Sequence, residues 1–316
     1  MKIFYTKHHA FTMIEVVMVI VILGIVSSIG SEIIANVYEN YILQRATHRV
    51  SLKTELAVQQ IANMLSYRMP GTALARNPDD LSDNYLVTAA TDQNDTSHTM
   101  LEWIGIDNDG FSTALPPPWD GFCDVAASNQ TTVKTPGSKL EKEGTILSNL
   151  SGSSISPAIF FRSRKYAYNS STSTIIEYHA LKSDGTGCMG MVSADTSCIS
   201  TVSITDDETL TFTGSASGST NKVIAEHYKL AWTAYAIRPM TNSNGLFNLE
   251  LYYNYRPWEG HSLNTGWPND HATIITNVSV FKFAESGNTF RFKICAQENI
   301  GEDYNITVCK EKAVTL

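Results

Sequence analysis

The sequence predicts an α+β fold, in which one long N-terminal helix lies along an antiparallel, β-rich head. Three observations predict it. An unbroken apolar run over residues 16–26 passes into a helical periodicity, with Val37, Tyr38, Tyr41, Ile42, Val50, Ala57, Ile61 and Met64 recurring at spacings near three, four and seven. Neither proline nor glycine interrupts that pattern from Ser31 until Pro70 and Gly71. From Met69 the texture changes to short apolar or aromatic segments separated by Ser, Thr, Gly and Asn.

In chain order, residues 1–10 are a basic leader that carries Lys2 and Lys7 and ends on the small Ala10. Residues 11–31 would extend about 31 Å as a helix, one hydrocarbon thickness. The whole helix, residues 11–66, would be about 80 Å long. Its first part suits lipid or a filament core, and its second lays an amphipathic stripe on the head. Residues 67–316 form that head. The stretch RMPGTALARNPDDLSDN reads as a loop. Strands are expected near 84–89, 100–105, 158–162, 175–181, 202–204, 209–213, 223–237 in one or two pieces, 246–255, 274–283, 289–295 and 304–309. Helix signals within the head are weak, as at 140–147, and GSASGST reads as a hairpin tip or flexible loop.

The chain has 316 residues, enough for one or two domains with a real core. Its formal charge is -8, and loss of the leader's two lysines makes it -10. An acidic body repels phosphate backbones, so no nucleic-acid partner is expected. Arg162, Arg164 and Lys165 form a local basic patch, read as a solvated strand edge. Five cysteines stand at 123, 188, 198, 295 and 309, with no CxxC pair. If the head is exported, the economical bridges are Cys188–Cys198 and Cys295–Cys309, leaving Cys123 buried and inert. A hairpin turning at 299–302 would bring Cys295 and Cys309 face to face.

Glu15 is the anomaly, a carboxylate at the head of a membrane-length helix. A cleaved secretory signal has a shorter apolar region with its cut after it, whereas here the small residue precedes the run. A plain signal anchor explains the length, and Lys2 and Lys7 place the N-terminus in the cytoplasm. It leaves Glu15 without a task, although ionisable groups in membrane helices usually have a partner. A cut between Ala10 and Phe11 supplies one. The new α-amino group lies one helical turn from Glu15, and among parallel helices it can meet a neighbour's Glu15.

The run AFTMIEVVMVIVILGIV, behind its basic leader, resembles the class III signal of type IV pilins and type II secretion pseudopilins. That resemblance implies cleavage by prepilin peptidase between Ala10 and Phe11, N-methylation of Phe11, and a role for Glu15 in assembly. The sequence departs from the family in having Ala10 where Gly is usual. It also lacks the kinking proline after the apolar segment, so a straighter helix is expected. A second, softer resemblance covers LFNLELYYNYRPWEG, TGWPND and ATIITNVSVFKFAESGNTFRFKIC, which are similar to J-type minor pseudopilins and their pilus counterparts of the PilW kind. The matching residues are Tyr253, Tyr255, Trp258, Trp267, Asn277, Val278, Phe281 and Phe283.

Other motifs lose to plainer readings. GTGCMG fits GxGxxG by letter, but no helix follows it, and a loop closed by Cys188–Cys198 is the better reading. Asp107 and Asp109 resemble half of a calcium loop without its remaining ligands, and an Asx-rich turn is preferred. Calcium, with ligands from elsewhere in the chain, is the one cofactor left open. There is no GxSxG elbow, HExxH pair or credible acid/base pair, so no enzymatic activity is expected.

Together these readings predict a pilin-like minor pseudopilin of a type II secretion system, acting at the filament tip in export across the outer membrane. It would be anchored once in the inner membrane, with its head in the periplasm before it enters the pseudopilus. The resemblance implies as partners other major and minor pseudopilins or pilins, prepilin peptidase and the inner-membrane assembly platform. A minor pilin of a type IV or DNA-uptake pilus is the alternative. A tip adhesin is another, with the aromatic loop of Tyr255, Trp258 and Trp267 either stacking on sugars or, preferably, packing on a neighbouring subunit.

Overall fold

The apolar and helix-favouring run after Thr12 forms a single helix, α1 (Met13–Ser66), of 54 residues and about 81 Å. The structure, a computed structural model, describes residues 12–87, 96–113, 116–129, 131–161, 165–169, 174–178, 188–196, 198–213, 224–261, 263, 270–300 and 304–315. Thr12 stands at the N-cap in an extended conformation, and its carbonyl accepts from the amides of Glu15 at 3.0 Å and Val16 at 3.2 Å. At the other end Arg68 is fully buried. Its Nη1 donates to the Leu65 carbonyl at 3.0 Å, and its Nη2 pairs with Glu285 at 2.7 Å. The guanidinium also lies 5.2 Å from the centre of the Phe290 ring. One cation thus satisfies an orphan carbonyl of the last turn and fastens the helix end to the sheet.

The head begins with β1 (Leu74–Arg76), β2 (Asn84–Leu86) and β3 (Met100–Ile104), followed by α2 (Asn108–Thr113), β4 (Thr132–Lys134) and α3 (Leu140–Ser151). Next come β5 (Ala158–Phe161), β6 (Lys165–Asn169), β7 (Thr174–Tyr178), β8 (Ser200–Asp206), β9 (Thr209–Phe212) and β10 (Tyr228–Ala231). The chain ends with β11 (Ala234–Thr241), β12 (Phe247–Tyr255), β13 (His271–Ser286), β14 (Thr289–Ile300) and β15 (Tyr304–Thr315). Three sheets result. One has eight strands ordered β15-β14-β13-β12-β11-β3-β1-β2, one has five ordered β10-β5-β8-β9-β4, and β6 pairs with β7. The pairings are antiparallel. The α+β class with a long helix on a sheet head therefore holds.

The C-terminal half of α1 buries Ala46, Val50, Thr54, Ala57, Val58, Ile61, Ala62 and Leu65. That stripe meets Trp103, Ile237, Phe281, Phe290, Phe292 and Ile294 of the eight-stranded sheet in one core. At its rim Arg49 pairs with Glu298 at 3.2 Å, and Glu55 with Lys310 at 3.4 Å. Such exposed pairs fix orientation more than they add stability. A second core joins Leu74, Met100, Ile104, Phe160, Met189, Tyr255 and Trp258. A third, on the five-stranded sheet, holds Trp119, Val133, Leu140, Val202, Leu210 and Tyr228.

Several expectations need adjustment. The stretch over 68–84 contains a strand, because Ala73, Leu74 and Ala75 are 2, 2 and 1% exposed and β1 is held between β2 and β3. Three residues are too few to show a period, and turn-forming neighbours mask them. Strand β4 lay among polar residues and outside the expected set. The segment over 223–237 forms two strands assigned to different sheets, with Trp232 and Thr233 between them. The weak signal at 140–147 is a three-turn helix that stops at Gly152, which takes the left-handed φ of +69°. Loop 214–220 lies outside the described residues.

Both bridges form, Cys188–Cys198 with a Cα separation of 5.2 Å and Cys295–Cys309 with one of 4.0 Å. The second joins directly paired residues of β14 and β15. Gly287, at φ +59°, opens the preceding two-residue turn between Ser286 and Thr289 and keeps β13 and β14 in register. Cys123 is buried, and burial pushes its thiol up, so it is a poor nucleophile. Unreduced native protein should therefore resist a maleimide, and denaturation should expose one thiol per chain. Two or more thiols would break the pairing.

Candidate functional site

The head of α1 is built for contact with something outside this chain. Met13 and Ile14 are 88 and 72% exposed, and large apolar side chains remain open as far as Tyr41 at 57%. The first buried helical residue is Ala46. About 43 Å of helix, residues 13–41, therefore has no cover within the molecule. Among the described residues this is the one helix long and apolar enough to cross a membrane. Glu15 lies in its first turn, where the helix dipole favours an anion, and it is exposed. Ala10 and Phe11 lie outside the described residues.

Residues 5–31 match the prokaryotic N-terminal methylation motif. The match spans the leader and the apolar head of α1, and it supports placement in the pilin and pseudopilin superfamily. Such a signal implies processing by prepilin peptidase and assembly with other pilin-like subunits. With the uncovered apolar helix, it supports a membrane-anchored, single-pass chain. No curated protein and no solved structure matches the chain.

The aromatic loop requires a correction. Tyr255 is 4% exposed and Trp258 7%, both within the second core. The Tyr255 hydroxyl donates to Glu102 Oε1 at 2.9 Å, and burial raises its pKa far above the phenolic range. Neither ring presents a face to a sugar or a neighbouring subunit, because the eight-stranded sheet and the loop closed by Cys188–Cys198 cover them. Gly190, at φ +77°, packs so closely that a Cβ there would lie 2.6 Å from the Pro257 carbonyl oxygen. Trp267 lies outside the described residues, as do Arg162 and Arg164.

Two buried polar groupings escaped the sequence reading. In the first, Glu102 holds the Arg76 guanidinium and accepts from Tyr255, while Arg76 donates to the carbonyls of Leu81 and Met191. Four separate segments meet at this one cation. The second begins at Asp107, which is 1% exposed. Its Oδ1 accepts from the Gly110 amide at 2.9 Å, capping α2, and its Oδ2 accepts from Trp119 Nε1 at 2.8 Å. The expected Asx-rich turn is thus present, and it caps α2. Facing it from α3 is Glu143, fully buried, which no local spacing could connect to residue 107.

Proposed function

We propose that this chain is a large-headed minor pseudopilin of a type II secretion system, placed at or near the tip of the pseudopilus. The observation that carries the reading is the division of α1. Its C-terminal half is consumed by the head's core, whereas residues 13–41 are apolar and uncovered. Exposed apolar area of that length is costly in water and needs lipid or other helices around it. The methylation motif supports a pilin-like assembly as their source. The large head favours a subunit used in few copies, and the resemblance of β12 to β14 to J-type subunits and their PilW-like pilus counterparts favours a minor subunit. The function is structural, without catalysis and without nucleic acid.

In this reading Lys2 and Lys7 hold the leader in the cytoplasm, and the head faces the periplasm. Prepilin peptidase cuts after Ala10 and methylates Phe11. Glu15 then pairs with the new amine of an adjacent subunit, setting the axial register of the incoming helix. N-terminal mass spectrometry of the native protein tests this directly. The expected chain begins at N-methyl-Phe11, and one beginning at Met1 or beyond residue 30 overturns the reading.

A further inference from the structure

The third core carries an unresolved charge problem. Glu143 is 0% exposed, and neither of its carboxylate oxygens has a hydrogen-bond partner among the described residues. It points at a second buried carboxylate. A Cβ placed on Gly110 would collide with both Glu143 oxygens and with Asp107 Oδ2, so three acidic oxygens converge on one small region beside a glycine. Asp109, exposed on α2, adds a third negative group to the same corner.

Lys229 brings its ammonium against the Phe111 and Trp119 rings nearby, but among the described residues neither Asp107 nor Glu143 is in an ion pair; burying two mutually repelling carboxylates in that way costs several kcal/mol, so the corner needs either a proton or a cation. A single shared proton would join Glu143 to Asp107, but it would leave the second Glu143 oxygen buried in the gap without a partner. We propose that Asp107, Asp109 and Glu143 form a divalent-cation site whose occupant is calcium. Glu143 would bind through both oxygens, and Asp107 would bind through Oδ2 while its other oxygen keeps capping α2. Asp109, at the surface, would swing in to close the site. The side chains are not already gathered in threes at metal-ligand spacing among the described residues. The remaining ligands are therefore water and backbone carbonyls, as calcium's flexible shell of six to eight oxygens allows. Magnesium, which demands a tighter octahedron and holds its water, fits this bidentate corner less well.

The site joins α2 to α3 and, through Trp119, to the five-stranded sheet, so its filling would tie together an otherwise lightly connected part of the head. The inference is independent of the secretion reading, because it concerns only the stability of this corner.

Trp119, hydrogen-bonded to Asp107, offers a built-in reporter. Full-length protein in detergent, stripped with a chelator, should show terbium emission on tryptophan excitation, and excess calcium should quench it. Calcium at 1 mM should raise the melting temperature by several degrees over the chelated protein, and the same concentration of magnesium should not. Glu143→Gln preserves shape and should weaken terbium binding at least tenfold and abolish the calcium shift. If that variant fails to fold, Asp109→Asn, on the exposed side, should weaken binding several-fold. Absence of sensitised emission in the native protein, or undiminished binding in the variant that folds, overturns the site. So does a native protein indifferent to calcium that Glu143→Gln stabilises, which would assign the corner to a shared proton.

Discussion

Replacing Glu15 by valine should leave the leader cut intact and reduce incorporation into filaments by an order of magnitude or more. The helix itself gains from the change, since valine suits a lipid environment and the unpartnered charge disappears. Any loss must therefore come from contact with another subunit. In the proposed filament, attraction between Glu15 and a neighbouring amine would be partly cancelled by removing both from water, so the pair would select register more than add affinity. The measurement is the ratio of processed protein in sheared filaments to that in the membrane. Equal ratios for native and variant protein would remove any assembly role for Glu15. Glu15→Asp should recover only part of the loss, because its carboxylate is one methylene shorter.

Arg76→Ala should be the most damaging single change in the head. Arg76 and Glu102 side chains are each 2% exposed, and truncation strands a buried carboxylate together with two carbonyls that lose their donor. Breaking a buried pair from one side costs about 3–5 kcal/mol. For a body of this size that corresponds to roughly 6–20 °C in melting temperature. The combined change Arg76→Met with Glu102→Leu should recover a good part of it, because no charge is then left behind. Thermal unfolding followed by the β-sheet signal would decide, and a loss below about 1 kcal/mol for Arg76→Ala would show that water reaches the cluster.

What the sequence made legible was what chemistry writes locally. A period near 3.6 defines α1 to within two residues at each end, and the register of Ala10, Phe11 and Glu15 depends on spacing alone. The strand signals around Cys295 and Cys309 sufficed to oppose them. Convergence from distant segments was not legible. The arginine in ALAR looks like a loop residue, although β1 buries it against Glu102 and Tyr255. Tyr255 and Trp258 look like loop anchors for a partner, but the loop folds back and spends them on its own core. Asp107 shows half a ligand set, and Glu143 becomes its counterpart only after α3 packs beside α2.

The union of α1 with the last two strands also has a mechanical meaning. Tension applied to the uncovered half of the helix reaches the head through the Val50–Leu65 stripe and the buried tether of Arg68 to Glu285 on β13. Glu55 passes part of it to Lys310 on β15, the outermost strand of its sheet, whose strand partner among the described residues is β14 and whose Lys312 also donates to Gln59 of α1. An edge strand under load would peel away rung by rung. The Cys295–Cys309 bond sits within that ladder as a covalent stop, so unzipping that starts at either end of β15 halts there. Reduction should thus leave the resting shape unchanged while lowering the force at which the helix tears free of its head.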